Sequence, residues 1–220
     1  MRSLALPDAG DATLRVLALG CHSDDIEIGA GATLLHLGDV YGERLEVRWI
    51  VFAARGERGE EARASAADLL GSRVAIDTHE FRDAYFPYSG GLVKDIFESL
   101  KGEPAPDLIL THHRQDLHQD HRLLCELTWN TFRDHLVLEY EIPKYDGDLG
   151  HPNLFVPVSE AHCRRKVDVL LRHFGTQRSR HWFTEDLFLG LMRLRGAECR
   201  SPTGYAEAFH GRKLLLLAPG

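Results

Sequence analysis

Two clusters in this chain carry the residue types that perform hydrolytic chemistry. The first is His22-Ser23-Asp24-Asp25, which follows the apolar run Val16-Leu17-Ala18-Leu19-Gly20 and precedes Gly29-Ala30-Gly31. The second, far along the chain, is His118-Gln119-Asp120-His121. Imidazoles and carboxylates hold catalytic metal ions, and a carboxylate that is not a ligand can take a proton from an attacking water. His22 and Asp25 are close enough in a turn to share one ion, and Asp24 between them points elsewhere. His118 and His121 lie one helical turn apart on a common face, so one can bind the ion while the other reaches the reacting group. Asp120 can orient a histidine and fix its tautomer. Two His and one Asp are a catalytic zinc set with an open fourth position. The remaining Asp24, His118 and Asp120 suit a base, an acid or oxyanion donor, and its orienter. Taken singly, the first cluster reads equally well as helix-capping carboxylates and the second as a solvated first turn. It is their pairing that points to a site.

The elements around the clusters predict how they meet. Leu14–Leu19, Leu45–Ala53 and Asp107–Thr111 read as strands, and Arg73–Ile76 and Thr78–Phe81 as weaker ones. Helical spacing covers 30–37, 60–70 with Gly71 as its stop, 92–100, and a stretch beyond Arg122 to about Phe132. Asp116 is expected to cap a helix from near Leu117, with Gln119 completing a weak capping box. Strands at 136–142 and 153–158 and helices at 160–173 (capped by Ser159) and 185–194 complete the pattern. Alternating strands and helices imply βαβ units, hence an α/β, Rossmann-like three-layer fold with a mostly parallel central sheet, and one domain over 1–220. Both clusters follow a strand, so both belong at the carboxyl edge, where open α/β sheets bind ligands.

Composition narrows the function classes. A net charge of −7, from 33 acidic and 26 basic residues, does not favour nucleic acid as a partner. Thirteen His is a high count for 220 residues and supports a metal reading. Cys21, Cys125, Cys163 and Cys199 show no CxxC spacing and read as free thiols in a reducing compartment. No secretory signal is apparent, and the apolar stretch Leu214–Ala218 is far too short for a membrane span, so a soluble, cytoplasmic protein is expected. Gly20, Gly29 and Gly31 do not form GxGxxG, and Asp24 and Asp25 would repel a pyrophosphate, which argues against a dinucleotide site.

The strand–HxDD pattern followed by HxDH at a later helix start resembles the PIG-L/LmbE-like de-N-acetylases. Further stretches resemble the family too: Glu60-Glu61-Ala62 with Ala66-Ala67 and Leu70-Gly71, the Lys166, His173 and Gln177 segment, and Gly204-Tyr205-Ala206-Glu207-Ala208-Phe209. The resemblance implies a Rossmann-like zinc hydrolase that removes N-acetyl groups, often from N-acetylglucosamine conjugates. It implies His22, Asp25 and His121 as zinc ligands and Asp24 as general base. His118 would stabilise the oxyanion or protonate the leaving amine, with Asp120 as its orienter. Arg58 and Asp83 fall near positions that hold sugar hydroxyls in some members, and read equally well as a surface helix-cap pair. The sequence departs from the family at Ser23, where proline is usual, and at Cys21, where proline or alanine is frequent; this touches the substrate more than the reaction. Cys21 is expected to face away from His22 and is left out of the site.

The expected partner is a small N-acyl molecule, an amino sugar first, with a homo-oligomer left open. Iron(II) accepts the same ligands as zinc. Three alternatives stand beside this reading: an amidase for a non-sugar N-acyl metabolite, a metal-binding module without turnover, and a two-metal phosphoesterase. Asp24 speaks against the second and the small number of clustered carboxylates against the third. The segments Tyr140–Asp148 and Arg178–Trp182 are candidates for the cleft lining.

Overall fold

A computed structural model describes residues 6, 10, 12–102 and 104–215. Seven strands form one sheet: β1 (Leu14–His22), β2 (Leu45–Ala53), β3 (Val74–Thr78), β4 (Leu108–His112), β5 (Val137–Tyr140), β6 (Leu154–Val158) and β7 (Tyr205–Gly211). Their order is β3-β2-β1-β4-β5-β7-β6. The first five run parallel, and β7 is antiparallel to both its neighbours. The helices are α1 (Asp25–Tyr41), α2 (Glu57–Leu70), α3 (Gly90–Ser99), α4 (Gln119–Thr131), α5 (Glu160–His173) and α6 (Glu185–Glu198).

Alternation along the strands builds two cores. Val16 and Ala18 of β1, with Val47, Trp49 and Val51 of β2, face the layer of α1, α2, α5 and α6. Leu17, Leu19 and Cys21, with Ile50 and Phe52, face α3 and α4 through Val93, Phe97 and Leu124. A strand buried on both faces reads as a continuous apolar run, which is why the 16–20 part of β1 and the second half of β2 were legible, while Glu46 and Arg48 give the start of β2 an alternating pattern. The order reverses between β1 and β4, so the chain leaves their carboxyl ends in opposite directions and opens a crevice there.

The three-layer α/β fold with its mostly parallel sheet is as expected; several boundaries differ. Helix α1 begins at Asp25, and Gly29 and Gly31 lie inside it rather than in a turn. Gly29 is needed for close approach: a Cβ there would fall 2.2 Å from the Tyr140 ring, whose hydroxyl donates to Leu19 O at 2.6 Å. Helix α4 starts at Gln119 with His118 in the capping position, so Asp116 does not cap a helix from Leu117. Of the two weak strands after Gly71, 78–81 is reduced beyond Thr78 to an isolated bridge between Glu80 and Ala53. Ser159 caps α5 as expected, accepting from His162 N at 3.1 Å. Among the described residues no helix is long and apolar enough to cross a membrane. The end of the Leu214–Ala218 stretch lies outside the described residues.

Candidate active site and metal centre

The last residue of β1, the first turn of α1 and the first turn of α4 converge at the switch point. His22 Nδ1 lies 3.1 Å from His121 Nε2 and 3.3 Å from Asp25 Oδ2, and Asp25 Oδ2 lies 3.6 Å from His121 Nε2. Zinc–ligand bonds of about 2.0–2.1 Å in a tetrahedron place ligand atoms about 3.3 Å apart. The triangle has that size, so the donor set fits one divalent ion.

The electrostatics point the same way. Burial alone would lower the pKa of His22, but Asp25, aided by Asp120 and Asp83, holds it well above the ordinary imidazole value. His121 is pushed down to about 3 by burial and by His112. Asp25, despite burial, is held well below the usual carboxylate range by His121, His112 and His22. A charged His22 thus faces a neutral imidazole and an ionised carboxylate. The ionised Asp25 carboxylate supplies the negative charge that a divalent ion would share with the imidazoles.

The surrounding groups orient these donors. His121 Nδ1 pairs with Asp116 Oδ2 at 2.9 Å, and Asp116 Oδ1 accepts from His118 N at 2.8 Å. Lys144, 8 % exposed, approaches Asp116 Oδ1 at 3.0 Å and Asp148 Oδ2 at 2.6 Å. Burial opposes ionisation of Asp116, but His121 and Lys144 hold its pKa far below the usual range. A carboxylate behind a ligating imidazole fixes its tautomer and raises its basicity. His22 Nε2 lies 2.9 Å from Asp83 Oδ1, a charge contact rather than an aligned hydrogen bond. Through this contact His22 brings Asp83 down to about 2.

Asp24 stands apart from the triangle. Burial raises its pKa against the pull of Arg58, whose Nη2 donates to Asp24 Oδ1 at 2.8 Å. Arg58 Nη1 donates to Thr176 Oγ1 at 3.2 Å, tying the short turn Gly175–Gln177 after α5 to the site. His118 packs edge-on to His22 with ring centroids 4.9 Å apart, and its Nδ1 is buried without a partner. Burial, then the neighbouring His22, lowers its pKa, and a neutral imidazole keeps one N–H to donate.

Asp120, expected to orient His118, has its carboxylate on backbone amides: Oδ2 accepts from Ala84 N at 2.7 Å and Oδ1 from Phe86 N at 3.1 Å, and Oδ2 also lies 3.6 Å from His22 Nε2. Two further residues went unrecognised. His112 Nε2 lies 3.1 Å from Asp25 Oδ2, 3.0 Å from Cys21 N and 3.2 Å from the Tyr140 hydroxyl, and its ring stacks on His121 at 3.8 Å. Cys21 offers its Sγ to a group with Asp25, His112 and His121 whose ligand atoms lie within 4.8 Å of one another, so it borders the centre rather than facing away. Burial and Asp25 keep it a thiol. The two unassigned segments meet each other, with the Tyr145 and His181 rings 4.9 Å apart.

Comparison with known proteins accords with this geometry. The family profile described as PIG-L: GlcNAc-PI de-N-acetylase matches residues 17–132, a span that runs from β1 to the end of α4 and holds both clusters. The chain belongs to that family. An uncharacterized deacetylase of Escherichia coli K12, YaiS, is 25 % identical over 170 residues, covering 72 % of this chain and 89 % of YaiS. The N,N'-diacetylchitobiose deacetylase of Pyrococcus horikoshii superposes with a TM-score of 0.71 at 21 % identity, over 91 % of this chain and 84 % of that one. The 4-carboxy-2-hydroxymuconate hydratase of Pseudomonas putida KT2440 superposes with 0.68 at 15 % identity, over 94 % and 100 %. The fold shared with a hydratase does not choose the reaction, so the PIG-L site residues must.

Proposed function

We propose that this PIG-L family deacetylase is a zinc-dependent hydrolase that removes the N-acetyl group of an amino sugar or its conjugate. The observation that carries the reading is the triangle of His22 Nδ1, Asp25 Oδ2 and His121 Nε2, sized for one tetrahedral ion beside a carboxylate that is not part of it. His22, Asp25 and His121 would hold the metal. A bound zinc ion supplies Lewis acidity toward the amide carbonyl and acidifies a water.

The other residues have separable tasks. Asp24, its pKa raised by burial, is the base that takes the proton of the attacking water. Arg58 keeps enough positive charge beside it for the ionised form to persist. His118 donates an N–H to the developing oxyanion, and the proton taken up by Asp24 then passes to the amine, which cannot depart as an anion. Asp116 orients His121 and, through the His118 amide, the start of α4. Asp83, with 72 % of its side chain exposed, meets the sugar hydroxyls.

Amine release from N-acetylglucosamine, its conjugates and simple N-acyl amino acids, measured with zinc-reconstituted protein, tests the reading. Release from the sugars alone supports it. Release from the non-sugar amides alone moves the assignment to a metabolite amidase.

A further inference from the structure

Ala84 holds a left-handed backbone, φ 62°, one of two such non-glycine residues among those described. A side chain is disfavoured there, and such residues persist where their surroundings fix them. Here the fixing groups come from the first turn of α4. The Asp120 carboxylate accepts from Ala84 N at 2.7 Å and Phe86 N at 3.1 Å, while Gln119 Nε2 donates to Ala84 O. Both polar groups of the Ala84 residue are therefore gripped by adjacent side chains of one helix.

The residue immediately before this grip is Asp83. One of its oxygens sits 2.9 Å from His22 Nε2, yet 72 % of its side chain faces solvent. Its backbone has no helix or strand to place it: β3 ends at Thr78 and the next helical turn starts at Phe86. The Arg82 guanidinium packs over the Tyr85 ring at 3.6 Å, which steadies the flanks of the turn, while Asp83 itself is in contact with His22 through its side chain. The clamp on its neighbour fixes the backbone from which this carboxylate reaches His22.

We propose that Gln119 and Asp120 are positioning residues that lock the 83–86 turn and so set the substrate specificity exercised by Asp83 toward a vicinal-hydroxyl ring. Asp120 then serves substrate recognition rather than the orientation of His118. The proposal rests on the sugar reading above only for the identity of the ligand. Gln119 is the better probe, because it touches none of the proposed metal ligands in the contacts seen here and its removal leaves Asp120 in place.

The test is a double-mutant cycle of Gln119→Ala and Asp83→Ala in zinc-reconstituted protein. It is read as kcat and KM for N-acetylglucosamine, as glucosamine binding by calorimetry, and as metal content. The expected result is a KM raised about tenfold in each single variant, a nearly unchanged kcat and normal metal content. The double variant should be no worse than Asp83→Ala alone, since coupled residues are not additive. Multiplicative losses, or a Gln119→Ala variant indistinguishable from wild type, would overturn the clamp while leaving deacetylation standing. Wild-type protein that binds glucosamine but releases no amine would overturn the deacetylase reading alone, with the binding cycle still deciding the clamp. Wild-type protein that neither binds nor cleaves these sugars would overturn both.

Discussion

Asp24 and Asp25 are adjacent in sequence but have opposite partners: Asp24 Oδ1 is 2.8 Å from the Arg58 guanidinium, while Asp25 Oδ2 faces His22, His112 and His121. The first turn of α1 sends one carboxylate to a fixed cation and the other to the imidazoles. This suits the pair to the proposed roles of base and ligand. Burial raises the pKa of Asp24 and Arg58 opposes it. Arg58→Met should therefore raise it further and move the acid limb of the kcat/KM profile to higher pH. The loss should be larger at pH 6 than at pH 8. A uniform loss at all pH values would mean that Arg58 acts on the substrate instead.

His118 is expected to donate one hydrogen bond to the oxyanion. His118→Ala should lower kcat by about 100-fold or more, equivalent to about 3 kcal/mol in the barrier, with metal content unchanged. Single-turnover amine release compared with metal analysis checks this. Loss of the metal along with the activity would make His118 a ligand.

Asp116 stands behind His121 at 2.9 Å. Asp116→Ala should weaken zinc affinity about 10–100-fold, the usual cost of removing a carboxylate that orients a ligating histidine. Competition with a fluorescent chelator measures it. An unchanged affinity would show that packing alone holds the His121 ring, which stacks on His112.

The metal-free protein should depend on pH in a defined direction. The folded-state pKa of His22 is raised above 6.5, with burial opposed chiefly by Asp25. A raised histidine contributes stability that is fully present below its unfolded value and lost as pH rises through the folded value. Thermal melts in chelator should therefore show Tm falling on the alkaline side of neutrality, and His22→Asn should remove that slope. Zinc should restore more stability at higher pH, because it competes with fewer protons. A Tm in chelator that stays level from pH 6 to 9 would contradict the protonated cluster.

Much of this architecture was legible because strand burial and motif spacing are local signals. His22, Asp24 and Asp25 follow the apolar run 16–20, and His118 and His121 open a helix, so the carboxyl-edge placement follows from alternation alone. His112 was missed because it is the last residue of an apolar strand and has no spaced partner in sequence. Asp116 was read as a helix cap; that its second oxygen reaches His121 depends on how the loop folds back. The backbone partners of Asp120 were hidden for a similar reason. Its partners, Ala84 and Phe86, are brought to it by the α3–α4 layer, and no periodicity connects them. Strand β7 carries Glu207 in a resembling segment, yet it was not assigned as a strand. There Glu207 pairs with buried Lys166 at 2.6 Å and accepts from Ala32 N and Thr33 N within α1, a long-range relation no local window contains.

The most direct measurement is the metal content of wild-type, Asp25→Ala and Asp24→Ala proteins after zinc reconstitution and desalting, with amine release from N-acetylglucosamine followed in the same samples. The triangle of His22, Asp25 and His121 predicts about one equivalent in wild type, little in Asp25→Ala, and near-normal zinc without activity in Asp24→Ala. Zinc retained equally by all three proteins, or by none, would contradict the assignment of ligand and base.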